Sequence, residues 1–292
     1  MDLGKISRMK EQKNKSLIEV HIAVLFFGLA GLFGKLILLP SLVIVFGRVV
    51  FASLFLGSIL LLKKQSIRLE KGKDYCYFII LGFILALHWV TFFLAIQMST
   101  VAIGLLMFST FPVFVTFIEP VFFKYKICMK DIVIAVITFF GVSFVMPEFK
   151  FESSITQGAL WGILSGFTFA ILSILNKKYV GKYNSIVISF YQDLVATLLL
   201  LPLILVLKPI FQTKDVIFIA VLGIVFTGIA HTLFINGLKN VKAQTASIIA
   251  SLEPVYGILA TAIIIGEIPS LREIVGGIII LATTSYATFK TK

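Results

Sequence analysis

The sequence predicts an all-α integral membrane protein whose ten transmembrane helices form two inverted five-helix repeats. Three observations lead to this fold class. First, the chain is 59% hydrophobic and only 14% charged, with a mean hydropathy of +1.06, whereas soluble domains are about one quarter charged. Second, its basic residues cluster in alternate connections between apolar stretches. Third, its second half repeats the pattern of its first half.

Ten apolar stretches approach the length of ~20 residues that a helix needs to cross a bilayer. The connections between them are short, which leaves little room for a separate soluble domain. In chain order, we place the stretches at 20–38, 42–62, 75–97, 100–123, 131–147, 156–176, 185–207, 215–237, 243–265 and 272–289.

The basic residues predict the orientation of these spans. Alternate connections, together with the two termini, carry 20 of the 26 Lys and Arg residues. Since Lys and Arg are enriched in cytoplasmic loops, we expect both termini in the cytoplasm and residues 1–17 to form a basic cytoplasmic tail. We expect a multi-pass protein of the bacterial cytoplasmic (inner) membrane. The alternation also argues against nucleic acid as a partner, although the net charge is +12.

The internal repeat has an offset of 142 residues, so that Lys35 corresponds to Lys177 and Pro112 to Pro254. The predicted repeats are residues 18–148 and 149–292. Each repeat contains an odd number of spans, so the two copies must cross the bilayer in opposite directions. Inverted repeats with interrupted helices are a common architecture of alternating-access transporters. We therefore expect a small-molecule solute and the lipid bilayer as partners.

Pro112 and Pro254 lie in the middle of the fourth and ninth spans. Proline removes a helical hydrogen bond, and in lipid the freed carbonyl group needs a partner in protein or in a water-filled cavity. We interpret the matched pair as hinges or cavity walls; a packing kink without a ligand role is the alternative.

Polar residues inside the spans are candidates for binding or coupling, because ionisable groups within a bilayer are costly and tend to be functional. Histidine can also carry a proton near neutral pH. The alternative for the charged and histidine candidates is a structural role in pairing or packing, and the alternative for Tyr256 is a lipid-facing position. The candidates for substrate binding or coupling are Arg48, His88, Trp89, Tyr191, Gln192, Asp193, His231, Glu253 and Tyr256.

Motifs of enzymes and metal sites are missing from the sequence. It contains no GxxxxGK[ST] phosphate loop, no HExxH, no pair of CxxC motifs and no GxSxG. We therefore expect neither an enzyme, nor a cofactor, nor a bound metal.

Each half begins and ends with a recognisable pattern. A Phe-Gly-x6-Lys motif runs from Phe27 to Lys35, and its degenerate copy runs from Phe169 to Lys177. The other features are a second-span arginine, a central proline in the fourth and ninth spans, and an acidic loop residue followed by a glycine pair: Arg48, Pro112, Pro254, Glu267 and Gly276-Gly277. Over residues 20–289 the chain resembles the EamA-type ten-helix branch of the drug/metabolite transporter superfamily. Tyr125 departs from this pattern, because it stands where the second half has Glu267.

The resemblance implies a carrier with a central cavity that moves amino acids, other small metabolites or drugs without ATP. It favours an exporter. Separately from the resemblance, we expect a monomer or homodimer, with protons as a candidate coupling ion. Two alternatives remain open: an uptake carrier for a metabolite, and a non-transporting membrane subunit that scaffolds a partner.

Overall fold

The computed structural model describes residues 3–124, 129–145 and 150–289, and all regular elements over these residues are helical. The predicted repeat boundary at 148/149 and Tyr125 lie outside the described residues. In chain order, the elements are α1 (Leu3–Leu36), α2 (Ser41–Leu62), α3 (Gly72–Met98), α4 (Val101–Phe108), α5 (Phe111–Phe123), α6 (Met129–Val145), α7 (Ser154–Tyr179), α8 (Ser185–Leu207), α9 (Thr213–Gly223), a π-helical turn (Ile224–Ile229), α10 (Ala230–Gly237), α11 (Ala243–Ala250), α12 (Glu253–Ile264) and α13 (Leu271–Phe289).

Eight helical segments within the described residues are long and apolar enough to cross a membrane, where the sequence predicts ten. The predicted spans at 131–147 and 272–289 correspond to α6 and α13, which pack against each other. α1 is longer than its predicted span because the basic residues before residue 16 continue the same helix. The predicted tail is therefore largely the first turns of α1.

The matched prolines lie at two matched helix breaks. α4 ends at Phe108 and α5 begins one residue before Pro112; α11 ends at Ala250 and α12 begins one residue before Pro254. Proline is tolerated in the first turn of a helix, where its missing N–H would have no helical acceptor. At each break a serine hydroxyl donates to the carbonyl group four residues earlier, from Ser109 and from Ser251.

The two halves pack through reciprocal contacts. α1 contacts α10 and α12 of the second half, and α7 contacts the corresponding α3 and α5 of the first half. Glycines permit this close approach: a Cβ atom at Gly28 would lie 2.6 Å from the carbonyl oxygen of Glu253, and one at Gly162 would lie 2.7 Å from Cβ of Met107. α2 and α8, which correspond to each other in the repeat, pack side by side between these contacts.

The repeat-related lysines cap equivalent helix ends. Lys35 Nζ donates to the carbonyl oxygen of Ser99 at 2.7 Å. Lys177 Nζ donates to the carbonyl oxygens of Leu238 at 2.5 Å and of Val241 at 2.9 Å. Ser99 and Val241 are themselves 142 residues apart. A cation near a helix C-terminus interacts favourably with the helix dipole, so each lysine ties the first helix of its repeat to the end of the third.

Candidate functional site

A cluster of buried polar side chains lies where helices of the two halves meet. Its members come from α2 and α3 of the first half and from α8, α10 and α12 of the second half. We call it the central cluster; it contains Arg48, His88, Trp89, Gln192, Asp193, His231 and Glu253, and each is at most 3% exposed. Seven of the nine side chains that the sequence predicts for the site therefore share this buried region.

Arg48 is held on two sides. Its Nε donates to Thr227 Oγ1 at 2.8 Å, and its Nη2 lies 3.4 Å from the carbonyl oxygen of Phe226. Its guanidinium carbon lies 3.5 Å from the centroid of the Trp89 ring, a distance typical of a cation–π contact. Nη1 is buried and has no hydrogen-bond partner among the described residues. Arg48 therefore has a fixed orientation with one donor free for another group.

The π-helical turn positions the acceptor for Arg48. The Thr227 hydroxyl donates to the carbonyl oxygen of Leu222, five residues earlier, at 2.9 Å. Gly223 precedes this turn, and a Cβ atom there would lie 2.6 Å from the carbonyl oxygen of Arg48. α2 and α9 can therefore approach closely at this level. Insertions of a π-turn into an α-helix occur frequently at functional sites.

Two carboxylates of the second half face this arginine without forming a hydrogen-bonded pair with it. Both oxygens of Asp193 and the Oε2 atom of Glu253 are buried and lack a hydrogen-bond partner within the described part of the chain. The charges of both groups act on Arg48. The large majority of buried side-chain polar atoms in proteins have a hydrogen-bond partner. Their concentration here therefore makes this region the candidate functional site.

The two histidines of the central cluster differ in their surroundings. His88 Nδ1 lies 3.1 Å from the carbonyl oxygen and 2.9 Å from the hydroxyl of Ser165 on α7. Neither ring nitrogen of His231 has a hydrogen-bond partner among the residues that the structure describes. His88 thus has a structural partner, whereas the His231 ring has none within the described ranges.

Aromatic rings and amides complete the surroundings. The His88 ring lies 5.0 Å from the Phe169 ring and 5.6 Å from the Phe108 ring, measured between centroids. Gln192 Nε2 donates to Asn176 Oδ1 at 2.5 Å, and its Oε1 has no partner in the described ranges. The cluster therefore combines an apolar aromatic wall with free polar atoms on basic and on acidic side chains.

The structure places the other two predicted side chains outside this group. The Tyr191 hydroxyl donates to the carbonyl oxygen of Ile67 at 2.9 Å, in the connection between α2 and α3. Tyr256 is half-buried, and its Cβ lies beside Gly28 on α1. Tyr191 thus fastens a loop, and Tyr256 packs α12 against α1.

Three residues of the region were missed by sequence reasoning: Thr227, Asn176 and Ser165. Each is polar where the first copy has a residue without a polar side chain, at Leu85, Gly34 and Ala23 respectively. A systematic comparison of the two copies for such differences would have found all three.

A second polar network joins two loops at one end of the bundle. Asp74 Oδ2 at the start of α3 accepts hydrogen bonds from Lys182 Nζ and from the Tyr183 hydroxyl, each at 2.5 Å. Glu70 lies 3.4 Å from Lys182 Nζ. The hydrogen bond to Asp74 raises the pKa of Lys182 above its usual value. The network ties the α2–α3 connection to the α7–α8 connection.

The acidic loop residue of the second half also has a local role. Glu267 Oε1 accepts a hydrogen bond from the backbone N–H of Val101 at 2.7 Å, and so satisfies one free donor at the start of α4. This contact links the α12–α13 connection to the first half.

Comparison with known proteins identifies the family. The model of the EamA-like transporter family matches residues 15–146 and again residues 156–289. A Bacillus subtilis protein named "Uncharacterized transporter YxxF" is 27% identical, over 93% of this chain and 89% of its own length. A Rickettsia conorii protein named "S-adenosylmethionine uptake transporter" is 26% identical, over 62% of this chain and 60% of its own length.

A solved crystal structure matches the fold with a TM-score of 0.72 at 14% sequence identity, covering 95% of this chain and 98% of that chain. At this identity the match concerns the fold alone. The family model accounts for both halves separately, which agrees with the duplication seen in the sequence. The chain is a member of the EamA-like transporter family.

Proposed function

We propose that this protein is a secondary carrier that moves a small metabolite, amino acid or drug across the bacterial cytoplasmic membrane by alternating access. The observation that carries the proposal is the central cluster, in which buried polar atoms from both halves lack partners among the residues that the structure covers. A binding site typically combines apolar and aromatic walls with a few convergent polar groups. Membership of a transporter family supports the same function.

The ten-helix inverted repeat belongs to this proposal. The reciprocal packing of α1 on α12 and of α7 on α5 supports a two-fold relation between the halves. Each half then has five spans, of which α6 and α13 are the last, and the halves 18–148 and 149–292 cross the bilayer in opposite directions. Both termini then lie in the cytoplasm. Labelling of single cysteines from either side of the membrane, at residues 150 and 181, tests this topology.

In this proposal the helix breaks at Pro112 and Pro254 act as hinges. In the proposed cycle, α5 and α12 tilt about these breaks and open the central cluster first to one side and then to the other. Arg48, Asp193, Glu253 and His231 contact the solute through their free polar atoms. We assign the remaining predicted side chains, His88, Trp89, Gln192, Tyr191 and Tyr256, to the walls and supports of the path.

The family resemblance favours export as the direction of transport. Uptake is the second candidate, because the Rickettsia relative is named as an uptake transporter. Protons are the proposed coupling ion, since ionisable groups occupy the buried centre of the chain. A proton gradient of either sign therefore distinguishes coupled transport from facilitated diffusion.

Transport by purified protein in liposomes tests the proposal. We expect counterflow of a labelled amino acid or metabolite, and a rate that changes with the pH gradient. In Glu253→Gln we expect the pH dependence to be lost, whereas Glu152→Gln, which changes an exposed carboxylate, should behave as wild type. A non-transporting scaffold subunit would show neither counterflow nor stabilisation by any solute.

A further inference from the structure

The charges of the central cluster point to the charge of the solute. Building on the proposed carrier function, we propose that the preferred solute has one carboxylate or similar anionic group and two cationic groups, for a net charge of +1. An amino acid with a second basic group, or with a sulfonium or quaternary ammonium group, has this pattern.

The proposal begins with the balance of charges in the buried region. Arg48 contributes one positive charge, and Asp193 and Glu253 contribute two negative charges. We count the two histidines as neutral. The cluster therefore has a net charge of −1 when both carboxylates are ionised. An unbalanced charge is costly to bury, and a bound group with a net charge of +1 removes the imbalance.

The free atoms of the cluster indicate which side chain would bind each charged group of the solute. The single free guanidinium nitrogen, Arg48 Nη1, can bind one carboxylate of the solute. The free carboxylate oxygens lie on two separate helices, α8 for Asp193 and α12 for Glu253. Two cationic groups of one solute can therefore each find a carboxylate of their own.

The aromatic side chains also suit a cation attached to an apolar body. The rings of Phe108 and Phe169 are buried beside His88. A sulfonium or ammonium group is attracted to the face of an aromatic ring, and more strongly when water is excluded. A planar or aliphatic portion of the solute can pack against the same surface.

A proton is the competing way to balance the charge. If one carboxylate is protonated throughout, the cluster is neutral and a simple zwitterion with no net charge suffices. The two cases differ in a measurable way, because only the proposed case discriminates between solutes that have the same shape but differ by one positive charge.

Matched solute pairs provide the experiment, with full-length wild-type protein in detergent at pH 7.5 and binding measured by thermal shift and by displacement. The pairs are S-adenosylmethionine with S-adenosylhomocysteine, S-methylmethionine with methionine, and lysine with norleucine. The first two pairs differ by one methyl group and one positive charge. We expect the charged member of at least one pair to bind 10-fold or more tightly than its neutral partner.

Two variants make the test specific. Asp193→Asn and Glu253→Gln each remove one negative charge, and we expect each to reduce the preference for the charged member at least 5-fold. Glu152→Gln alters an exposed carboxylate and should preserve the preference. Equal or weaker binding of the charged members by the wild type, or no binding of any member, overturns the proposal, and this result does not depend on whether the variants fold.

The transport assay separates this inference from the proposed function. If the liposomes carry neutral solutes in preference to charged ones, the carrier function stands and the charge assignment is wrong. If no solute of any charge is transported or bound, both are wrong.

Discussion

Replacing Thr227 with valine should weaken solute binding by misplacing Arg48. Valine has nearly the shape of threonine but lacks the hydroxyl that accepts from Arg48 Nε at 2.8 Å and donates to the Leu222 carbonyl oxygen at 2.9 Å. The variant therefore leaves a buried guanidinium N–H without its acceptor and removes one bond of the π-helical turn. The guanidinium group remains, so the expected change concerns its orientation.

The size of the effect follows from these two contacts. A hydrogen bond to a charged group contributes about 1.5–3 kcal/mol, whereas polar contacts within membrane proteins average about 0.6 kcal/mol. We therefore expect a loss of about 1–2 kcal/mol in the binding of carboxylate-bearing solutes. At 1.36 kcal/mol for each factor of ten, this corresponds to a rise in KM of about 5- to 30-fold.

Counterflow in liposomes measures KM and maximal rate separately, and the melting temperature reports stability. Thr227→Ser restores the hydroxyl and should recover most of the affinity. Thr261→Val serves as the matched control, because the buried Thr261 hydroxyl donates within its own helix, to Gly257. If Thr227→Val has the KM of wild type, or if Thr261→Val raises KM equally, Thr227 does not position Arg48.

Three further perturbations test the packing and the ends of the bundle. Gly28→Ala should destabilise the protein by about 1–3 kcal/mol, because the new Cβ would lie 2.6 Å from a backbone oxygen of α12; Gly72→Ala, which meets nothing within 4 Å, should leave the melting temperature nearly unchanged. Lys177→Met should lower the melting temperature more than Lys35→Met, since Lys177 donates to more carbonyl groups; equal losses would contradict this. The pKa of Lys182 is raised by its hydrogen bond to Asp74. The contribution of this contact to the stability of the protein is therefore fully present below pH 10.5 and is lost only as the pH rises through the higher folded-state pKa. The difference in melting temperature between wild type and Lys182→Met should thus stay constant from pH 7 to 10, and a decline within that range would refute the assignment.

The helices of the fold were largely predictable because hydropathy and proline chemistry act locally. The predicted span at 272–289 agrees with α13 within one residue, and the breaks before Pro112 and Pro254 follow from the missing N–H of proline. The π-helical turn at 224–229 was not predictable from hydropathy. Its hydroxyl contact joins Thr227 to Arg48 of the other half, 179 residues away, and no local pattern records such a contact.

The candidate site was likewise predictable in part: the sequence indicates its charged residues but not how their side chains are arranged. Arg48, Asp193 and Glu253 could be named from the sequence because charged residues in apolar spans are conspicuous. Which atoms remain free depends on the rotation of each helix about its axis, and this rotation is set by packing between the halves. Tyr191 illustrates the limit: it adjoins Gln192 in the sequence, but its hydroxyl fastens the connection at Ile67.

The division of charge between the halves has a consequence for how the gene can evolve and be engineered. The only cationic residue of the central cluster, Arg48, belongs to the first copy, and both carboxylates belong to the second. A chain made of two first halves would bring together two arginines without a carboxylate, and a chain of two second halves would have four carboxylates without an arginine. A symmetric ancestor of two identical subunits cannot be recovered by deleting either half. Separately expressed halves should restore activity only when both are present in the same cell.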